Sequence, residues 1–274
     1  MNIAEYSNAL QLTNDGIWVA QRSEFISYTM NGHELIKESE EKSFWFQHRL
    51  SCVLAVIAKL NIQSLLDIGG GNGSLTKQLI NNGINCTLLE PGEVGIANAK
   101  AAGIENLICS SLKEAKFKEN AWESVGLFDV LEHVKDDDDF AAELHRILKP
   151  DGFLILTVPA YQSLFSAFDE EVGHFRRYTL NTLCTKLKSV GFEIRYSSYL
   201  FSWLPMPMFV TRKMLGSGAK KADRKKGHLN GNRALSELAQ MAFKHEKWMI
   251  EKGLSIPFGS SCLVVAQKKD TKNG

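Results

Sequence analysis

One stretch of the sequence decides the fold: IQSLLDIGGGNG, residues 62–73. Its first half is a short apolar run of the kind that forms a buried parallel strand. Its second half has glycines at 69, 71 and 73, which let the backbone approach a ligand closely and turn tightly into a helix. Because open α/β sheets bind ligands beyond the carboxyl ends of their strands, this loop is a predicted ligand site.

The rest of the chain continues the alternation of strand and helix. Apolar runs predict further strands at 84–90, 106–109, 124–132, 153–159, 192–201 and 261–269. Periodic segments predict helices over 74–83, 91–103, 137–148, 179–191 and 233–251; the last carries Leu235, Leu238, Met241, His245 and Trp248 on one stripe. This order predicts an α/β fold with a mainly parallel sheet, preceded by an N-terminal cap over residues 1–60.

Composition limits the class of partner. Hydrophobic residues make up 44% of the chain and charged residues 23%, with a formal net charge of +1, so a nucleic-acid partner is not expected. The five cysteines are scattered without a CxxC pair, which argues against disulfides and structural zinc and favours a reducing compartment. With no signal-peptide pattern at the N-terminus, we expect a cytoplasmic protein.

The glycine spacing selects among nucleotide ligands. A dinucleotide fingerprint requires a third glycine where Ser74 stands, which disfavours an NAD-dependent oxidoreductase, and the Gly-Lys-Ser/Thr of a phosphate loop is absent. A GxGxG loop with Asp67 two residues before its first glycine is typical of S-adenosylmethionine sites. Glu90 ends the second predicted strand, where its carboxylate can accept hydrogen bonds from both ribose hydroxyls. The alternative is a plain tight turn with Glu90 at an exposed strand end.

Several segments together resemble a known family. The DxGxGxG loop, the Leu131-Glu132-His133 segment and the KPxG turn at 149–152 resemble the ubiquinone-biosynthesis-type core of class I methyltransferases. SFWFQHR at 43–49 and DEEVGHFRRY at 169–178 are similar to a bacterial subgroup without an assigned acceptor. The resemblance extends from about residue 40 to the end. It implies a three-layer, Rossmann-like, seven-stranded sheet with an antiparallel last strand, and a methyltransferase domain over 61–274.

The resemblance also implies which residues bind the cofactor, S-adenosylmethionine. They are Asp67, Gly69, Gly71, Gly73, Glu90, Ser111, Leu112, Phe128 and Asp129. Asp67 would anchor the methionine amino group, Glu90 the ribose, and Ser111 with Leu112 would flank the adenine. Relatives often carry cysteine at the position of Gly70, and we expect the glycine of this chain to be tolerated there. The aromatic residues 44–46 would cover the cofactor or simply pack, and His48 and Arg49 could reach the site.

The acceptor side is predicted to follow the fourth strand. Methyl transfer from a sulfonium is an in-line displacement, for which an enzyme supplies proximity, orientation and, where needed, a base. His133 is a candidate base because the ordinary histidine pKa of about 6.5 suits proton transfer near neutrality. Alternatively, Glu132 and His133 fix the loop by hydrogen bonds.

The segment 169–178 is dense in groups that bind anions, protons and sugars. Asp169, His174 and Tyr178 are candidate catalytic residues, and Arg176 and Arg177 are candidate substrate-binding residues. The alternative is an ion-paired lid in which acidic residues satisfy the arginines. Four consecutive aspartates at 136–139 cannot converge on one ion and precede a helix, so we predict a helix start and no metal site.

These observations favour methyl transfer to an oxygen or nitrogen of a small molecule or biosynthetic intermediate. A glycan or lipid-linked carrier is an alternative acceptor, favoured by the Arg-rich segment 169–178 and by the apolar segment 202–210 with the Lys-rich stretch after it. Both parts of the latter lie in an insertion at 202–232, of which we expect 216–232 to be a mobile loop. The apolar segment would allow weak contact with a membrane surface, or it packs internally. A third hypothesis is a cofactor-binding scaffold without turnover. The sequence leaves the oligomeric state open.

Overall fold

The computed structural model describes residues 3–20, 43–202 and 233–269, with the backbone alone for 233–240. The predicted insertion at 202–232, with its apolar segment and mobile loop, therefore lies outside the described residues apart from Ser202. Among the residues that are described, no helix is both long and apolar enough to cross a membrane.

A single nine-stranded sheet forms the centre of the fold, in the order β1-β2-β5-β4-β3-β6-β7-β9-β8. The strands are β1 (Leu10–Leu12), β2 (Trp18–Ala20), β3 (Ser64–Ile68), β4 (Asn85–Glu90), β5 (Leu107–Cys109), β6 (Trp122–Phe128), β7 (Leu148–Pro159), β8 (Phe192–Leu200) and β9 (Ser261–Lys268). Strands β2 to β7 pair in parallel, and β9 lies antiparallel between β7 and β8. The predicted Rossmann-like α/β class and its antiparallel last strand are confirmed.

The strand count differs from the predicted seven. Leu10 pairs with Ala20 in an antiparallel hairpin, and Val19 of β2 pairs in parallel with Cys109 of β5. The pairing with β2 satisfies backbone groups of β5 that would otherwise be unpaired at an open edge of the sheet. Residues 10–20 therefore extend the sheet instead of capping it. Each of these strands has only three residues, which is too short to show a periodicity.

Eight helices flank the sheet within the described part of the chain: α1 (Phe44–Lys59), α2 (Ser74–Asn81), α3 (Glu93–Ala101), α4 (Leu112–Ala115), α5 (Asp137–Ile147), α6 (Ala167–Glu171), α7 (Leu180–Ser189) and α8 (Arg233–Glu251). The hydroxyl of Ser43 accepts a hydrogen bond from the Trp45 backbone and starts α1. On α8 the predicted apolar stripe is wrong for Met241 and Trp248, which are exposed. The buried face of α8 carries Glu246 and Ile250, because α8 packs against α1 through that side.

The core lies on both faces of the sheet. Leu66 and Leu156 belong to the apolar cluster on one face, and Leu65 and Ile155 to the cluster on the other. All residues of β9 are buried, as expected for a strand covered on both sides. Strand β3 has β4 on one side and β6 on the other, so the direction of winding reverses there. Open α/β sheets bind ligands in the crevice at such a switch point, beyond the carboxyl ends of the strands.

Candidate cofactor and acceptor site

The glycine loop follows β3 and adopts left-handed backbone conformations. Gly69, Gly71 and Gly73 have φ values of +71°, +56° and +76°, a region in which side chains other than glycine are strained. Gly70 is constrained by space instead, because a Cβ there would lie 2.4 Å from Leu88 Cδ1 and 2.7 Å from Asp67 Oδ2. A larger side chain at Gly70 would therefore require Leu88 and Asp67 to shift.

Glu90 is buried at the end of β4 and ties two loops together. Its Oε2 accepts a hydrogen bond from the Gly71 backbone N–H at 3.0 Å, and its Oε1 accepts one from Gly92 at 2.7 Å. The alternative of an exposed strand end is therefore wrong. A carboxylate offers about four acceptor positions, so both oxygens retain capacity for ligand hydroxyls, and the ribose role stays a prediction.

A cavity of about 270 Å³ opens at the carboxyl ends of β3 and β6. It is lined by Phe46, Arg49, Asp67, Gly69, Gly70, Gly71, Asn72, Ser74, Leu75, Phe128 and Asp129. Five of the predicted cofactor residues meet here: Asp67, Gly69, Gly71, Phe128 and Asp129. The other four do not line it. Gly73 and Glu90 hydrogen-bond to residues of the glycine loop without lining the cavity.

Ser111 and Leu112, the predicted neighbours of the adenine, lie outside this cavity. The Ser111 hydroxyl accepts a hydrogen bond from the Glu114 backbone and caps α4, while Leu112 is buried. Both residues have local structural roles, and their contact with adenine stays a prediction.

Asp67 presents a buried acceptor to the cavity. Its side chain is 1% exposed, and Oδ2 accepts a hydrogen bond from Thr76 Oγ1 at 2.6 Å. Oδ1 has no hydrogen-bond partner among the described residues. Burial raises the pKa of Asp67 to about 6 against the opposing hydrogen bond from Thr76. Such a group favours a ligand that brings a positive charge or an N–H donor.

Arg49 reaches the cavity from α1 and pairs with Asp129. Asp129 has a φ of +56°, its N–H donates to the Thr157 carbonyl at 2.9 Å, and its Oδ1 accepts from Thr157 Oγ1 at 2.9 Å. Its Oδ2 accepts a hydrogen bond from Arg49 Nη1. Arg49 was not among the main predicted site residues. The available signal was its spacing: three residues after Phe46, it lies on the same face of a helix.

The predicted acceptor side includes the short 3₁₀ turn Leu131–His133, beyond β6. Glu132 is 1% exposed and burial raises its pKa to about 8, while its Oε2 has no hydrogen-bond partner among the described residues. Burial and the neighbouring His174 lower the pKa of His133 to about 4. A pKa below the ordinary histidine value makes His133 a weaker base than expected, and its role as a general base stays a prediction.

His174 lies beside this turn and is oriented by Asp169. Its Nδ1 is 3.0 Å from Asp169 Oδ1, and its ring is perpendicular to that of His133 at a centroid distance of 4.6 Å. Arg177 Nε also donates to Asp169 Oδ1, at 2.7 Å, and Ser166 donates twice to Oδ2. Burial acts to raise the pKa of Asp169, but these donors hold it below its usual range. Asp169 is therefore ionised, and its hydrogen bonds fix the positions of Ser166, His174 and Arg177.

Arg176 and Tyr178 belong to a second group around Asp137. Arg176 Nη1 and the Tyr178 hydroxyl each donate to the Asp137 carboxylate at 2.6 Å. Tyr178 is buried, and burial with the nearby Asp137 raises its pKa. Asp136 accepts from Asp139 N at the start of α5, as predicted for a helix start. Arg176 is therefore ion-paired with Asp137 and Arg177 with Asp169, as in the alternative of an ion-paired lid. The roles of Arg176, Arg177 and Tyr178 toward substrate stay predictions.

Comparison with known proteins identifies the matched region. Residues 66–156 match the family model described as a methyltransferase domain. Over this region the chain is similar to methyltransferase domains. The match includes the glycine loop, Glu90 and Glu132-His133, and it ends before Asp169 and His174. Arg49 also lies outside it. The glycine loop and Glu90 therefore lie within the matched region, whereas the helix that carries Arg49 and the loop that carries His174 lie beyond it.

The names of three similar proteins specify methyl transfer to three different atoms: oxygen, carbon and nitrogen. The chain is 32% identical over 101 residues to a ubiquinone biosynthesis O-methyltransferase of Pseudomonas aeruginosa, covering 35% of this chain and 44% of that one. It is 27% identical over 149 residues to a ubiquinone/menaquinone biosynthesis C-methyltransferase of Pseudoalteromonas translucida, covering 50% and 57%. The chain thus spans about half the length of these relatives.

The third is a solved structure, the phosphoethanolamine N-methyltransferase 2 of Haemonchus contortus in complex with S-adenosyl-L-methionine. It matches at 19% identity and a TM-score of 0.51, over 82% of this chain and 53% of that one. At that identity the likeness shows the shared fold.

Proposed function

We propose that the protein transfers a methyl group from S-adenosylmethionine to an oxygen or nitrogen of a small molecule or biosynthetic intermediate. The observation that carries this proposal is the cavity at the switch point, where the unpartnered Oδ1 of Asp67 meets the glycine loop. Enzymes of this kind act mainly by bringing the two reactants together in line.

The polar groups of the cavity suit the charges of the cofactor. S-adenosylmethionine carries an ammonium, a carboxylate and a cationic sulfonium, and no phosphate. Asp67 would accept from the ammonium, and Arg49 would bind the carboxylate while it stays paired with Asp129. Glu90 would hold the ribose from the neighbouring strand end. The complex with S-adenosylmethionine named for the Haemonchus contortus structure supports the same cofactor here.

The acceptor would approach from the side of Glu132, His133 and His174. Asp129, which lines the cavity, is followed within four residues by Glu132 and His133, so the cluster begins where the cavity ends. In the reaction, the acceptor atom forms a bond to the methyl carbon as the carbon–sulfur bond breaks, and S-adenosylhomocysteine leaves. The proton of the acceptor passes to solvent beside this cluster.

The experiment supplies purified protein with methyl-labelled S-adenosylmethionine and an extract of its source cells, then separates small polar, lipid and macromolecular fractions. Label in the small polar fraction supports the proposal. Label in the lipid or macromolecular fraction favours the glycan or lipid-linked alternative. Binding of the cofactor by calorimetry without any transfer supports the scaffold, and absence of binding overturns methyl transfer itself. Asp67→Asn is the variant expected to lose label, with Arg195→Ala on edge strand β8 as the matched control.

A further inference from the structure

Three side chains beside the cavity bring metal-binding atoms together. One ligand atom each from Glu132, His133 and His174 lies within 4.8 Å of the other two. His174 Nε2 is 3.9 Å from Glu132 Oε1. Glu132 and His133 come from the turn after β6, whereas His174 comes from the loop after α6, so the tertiary fold assembles the cluster.

Glu132 supplies an independent sign of a missing ligand. Its carboxylate is almost fully buried, and Oε2 has no hydrogen-bond partner among the described residues. The two nearby arginines already have carboxylate partners, since Arg49 pairs with Asp129 and Arg177 with Asp169. A buried carboxylate with an unsatisfied oxygen is costly unless a cation or donor completes it.

The orientation of the two histidines suits metal binding. The Nδ1 of His174 faces Asp169, which leaves Nε2 directed toward Glu132. Metal-binding histidines commonly have such a carboxylate on their second nitrogen, because it fixes the tautomer and the ring orientation. His133 offers a ring nitrogen to the same cluster, and metals bind the neutral imidazole.

We propose that Glu132, His133 and His174 bind one divalent transition-metal ion of the Zn²⁺ class. Two imidazoles and a carboxylate are a ligand set that zinc uses at catalytic sites, with a fourth position open to water or substrate. Ligand atoms of a tetrahedral zinc lie about 3.4 Å apart, given Zn–N bonds of about 2.0–2.1 Å. The side chains therefore close by roughly an ångström when the ion binds, which small torsional changes achieve.

The open position gives the metal a role, and this part of the inference rests on the proposed function. An acceptor hydroxyl bound there has a lowered pKa, so it releases its proton to solvent. The resulting oxygen attacks the methyl carbon, the carbon–sulfur bond breaks, and its electron pair stays on sulfur. The site therefore selects an oxygen acceptor that can bind a metal.

Metal binding can be measured without any acceptor. Tag-free protein is stripped with a chelator and titrated with Zn²⁺ by calorimetry and with Co²⁺ by visible absorption. We expect one equivalent to bind, with visible Co²⁺ bands typical of four or five ligands. Glu132→Gln, His133→Ala and His174→Ala should each weaken binding at least 100-fold. Asp169→Asn should weaken it about 10–100-fold, as second-sphere partners of metal-bound histidines do.

His245→Ala is the matched control, because His245 is an exposed histidine on α8 and should leave the titration unchanged. Absence of a stoichiometric site, or equal binding by the wild type and the three ligand variants, would overturn the inference. S-adenosylhomocysteine binding and thermal melting are measured on every variant, so that unfolding is recognised. Metal binding without cofactor binding would defeat the proposed function alone, and cofactor binding without a metal site would defeat this inference alone.

Discussion

The guanidinium of Arg49, on α1, pairs with the carboxylate of Asp129, 80 residues later at the end of β6. The pair joins the helix before the core to the edge of the sheet where the cavity opens. Both side chains are only partly buried, so part of each remains available to a ligand. We consider this pair the principal link between the cofactor cavity and the acceptor side.

Arg49→Ala should weaken binding of S-adenosylmethionine, because it removes the cation that faces the carboxylate of the cofactor. Loss of a hydrogen bond to a charged group costs roughly 1.5–3 kcal/mol, which corresponds to about a 10- to 150-fold rise in Kd. Calorimetry with S-adenosylhomocysteine measures this change, with Arg195→Ala as the control. An unchanged Kd would show that Arg49 serves packing only.

Glu90→Ala should also weaken cofactor binding, by roughly 1.5–3 kcal/mol for each hydrogen bond lost to a ribose hydroxyl before compensation. The same change releases the Gly71 and Gly92 backbone groups, so a general loosening of the loop must be separated from loss of ribose contacts. An analogue of S-adenosylhomocysteine without its 2′-hydroxyl makes the separation. If the wild type and Glu90→Ala lose equal affinity on its removal, the ribose assignment fails.

Asp67→Asn should alter the dependence of stability on pH. The folded pKa of about 6 lies above the ordinary value of 3.8, so ionised Asp67 opposes folding. Its contribution is therefore neutral below about pH 4, and stability is lost as the pH rises from about 4 through 6. Urea unfolding at several pH values should show that loss reduced in Asp67→Asn.

The same variant should bind the cofactor more weakly, because a neutral amide replaces the carboxylate that faces the ammonium. We therefore expect Asp67→Asn to be at least as stable as the wild type at pH 7.5 and a poorer binder. A variant that is less stable at pH 7.5, with the full pH dependence retained, would contradict the origin assigned to the shift.

Gly70→Ala should destabilise the protein by overpacking, since the new Cβ would press on Leu88 and Asp67. Extra methylene groups in a packed site cost roughly 1–3 kcal/mol. Gly71→Ala is a useful comparison, because its Cβ meets nothing within 4 Å and the cost there comes from the positive φ alone. Denaturant unfolding measures both. Wild-type stability in Gly70→Ala would mean that Leu88 moves freely aside.

Glu246→Ala should be strongly destabilising. Glu246 is buried, its Oε2 lies 2.8 Å from His48 Nε2, and it accepts the backbone N–H groups of Phe201 and Ser202. Removing one partner of a buried pair costs roughly 3–5 kcal/mol. The loss should extend to cofactor affinity, because His48 lies on the helix that carries Arg49. Glu251→Ala, which removes an exposed pair with Lys247, should cost at most about 0.5 kcal/mol.

Much of the cofactor half could be predicted from the sequence. The apolar run of β3, the glycine loop and Glu90 belong to consecutive strand–loop–helix units, whose patterns are local. Parallel strands place their carboxyl ends at one edge, so Asp67, Phe128 and Asp129 were expected to meet, and they do. Strands β1 and β2 were not predicted, because a strand of three residues is too short to show an alternation of apolar and polar side chains.

The sequence by itself determined the fold class, the glycine loop and the residues at the strand ends, because each depends on neighbours close along the chain. Only the tertiary structure decided that Arg49 joins Asp129 and that His174 faces Glu132 and His133. These contacts depend on how distant helices and loops pack against the sheet. The pKa values of Glu132 and His133 depend on the same packing, since burial, which no local pattern records, sets the free energy of a charge.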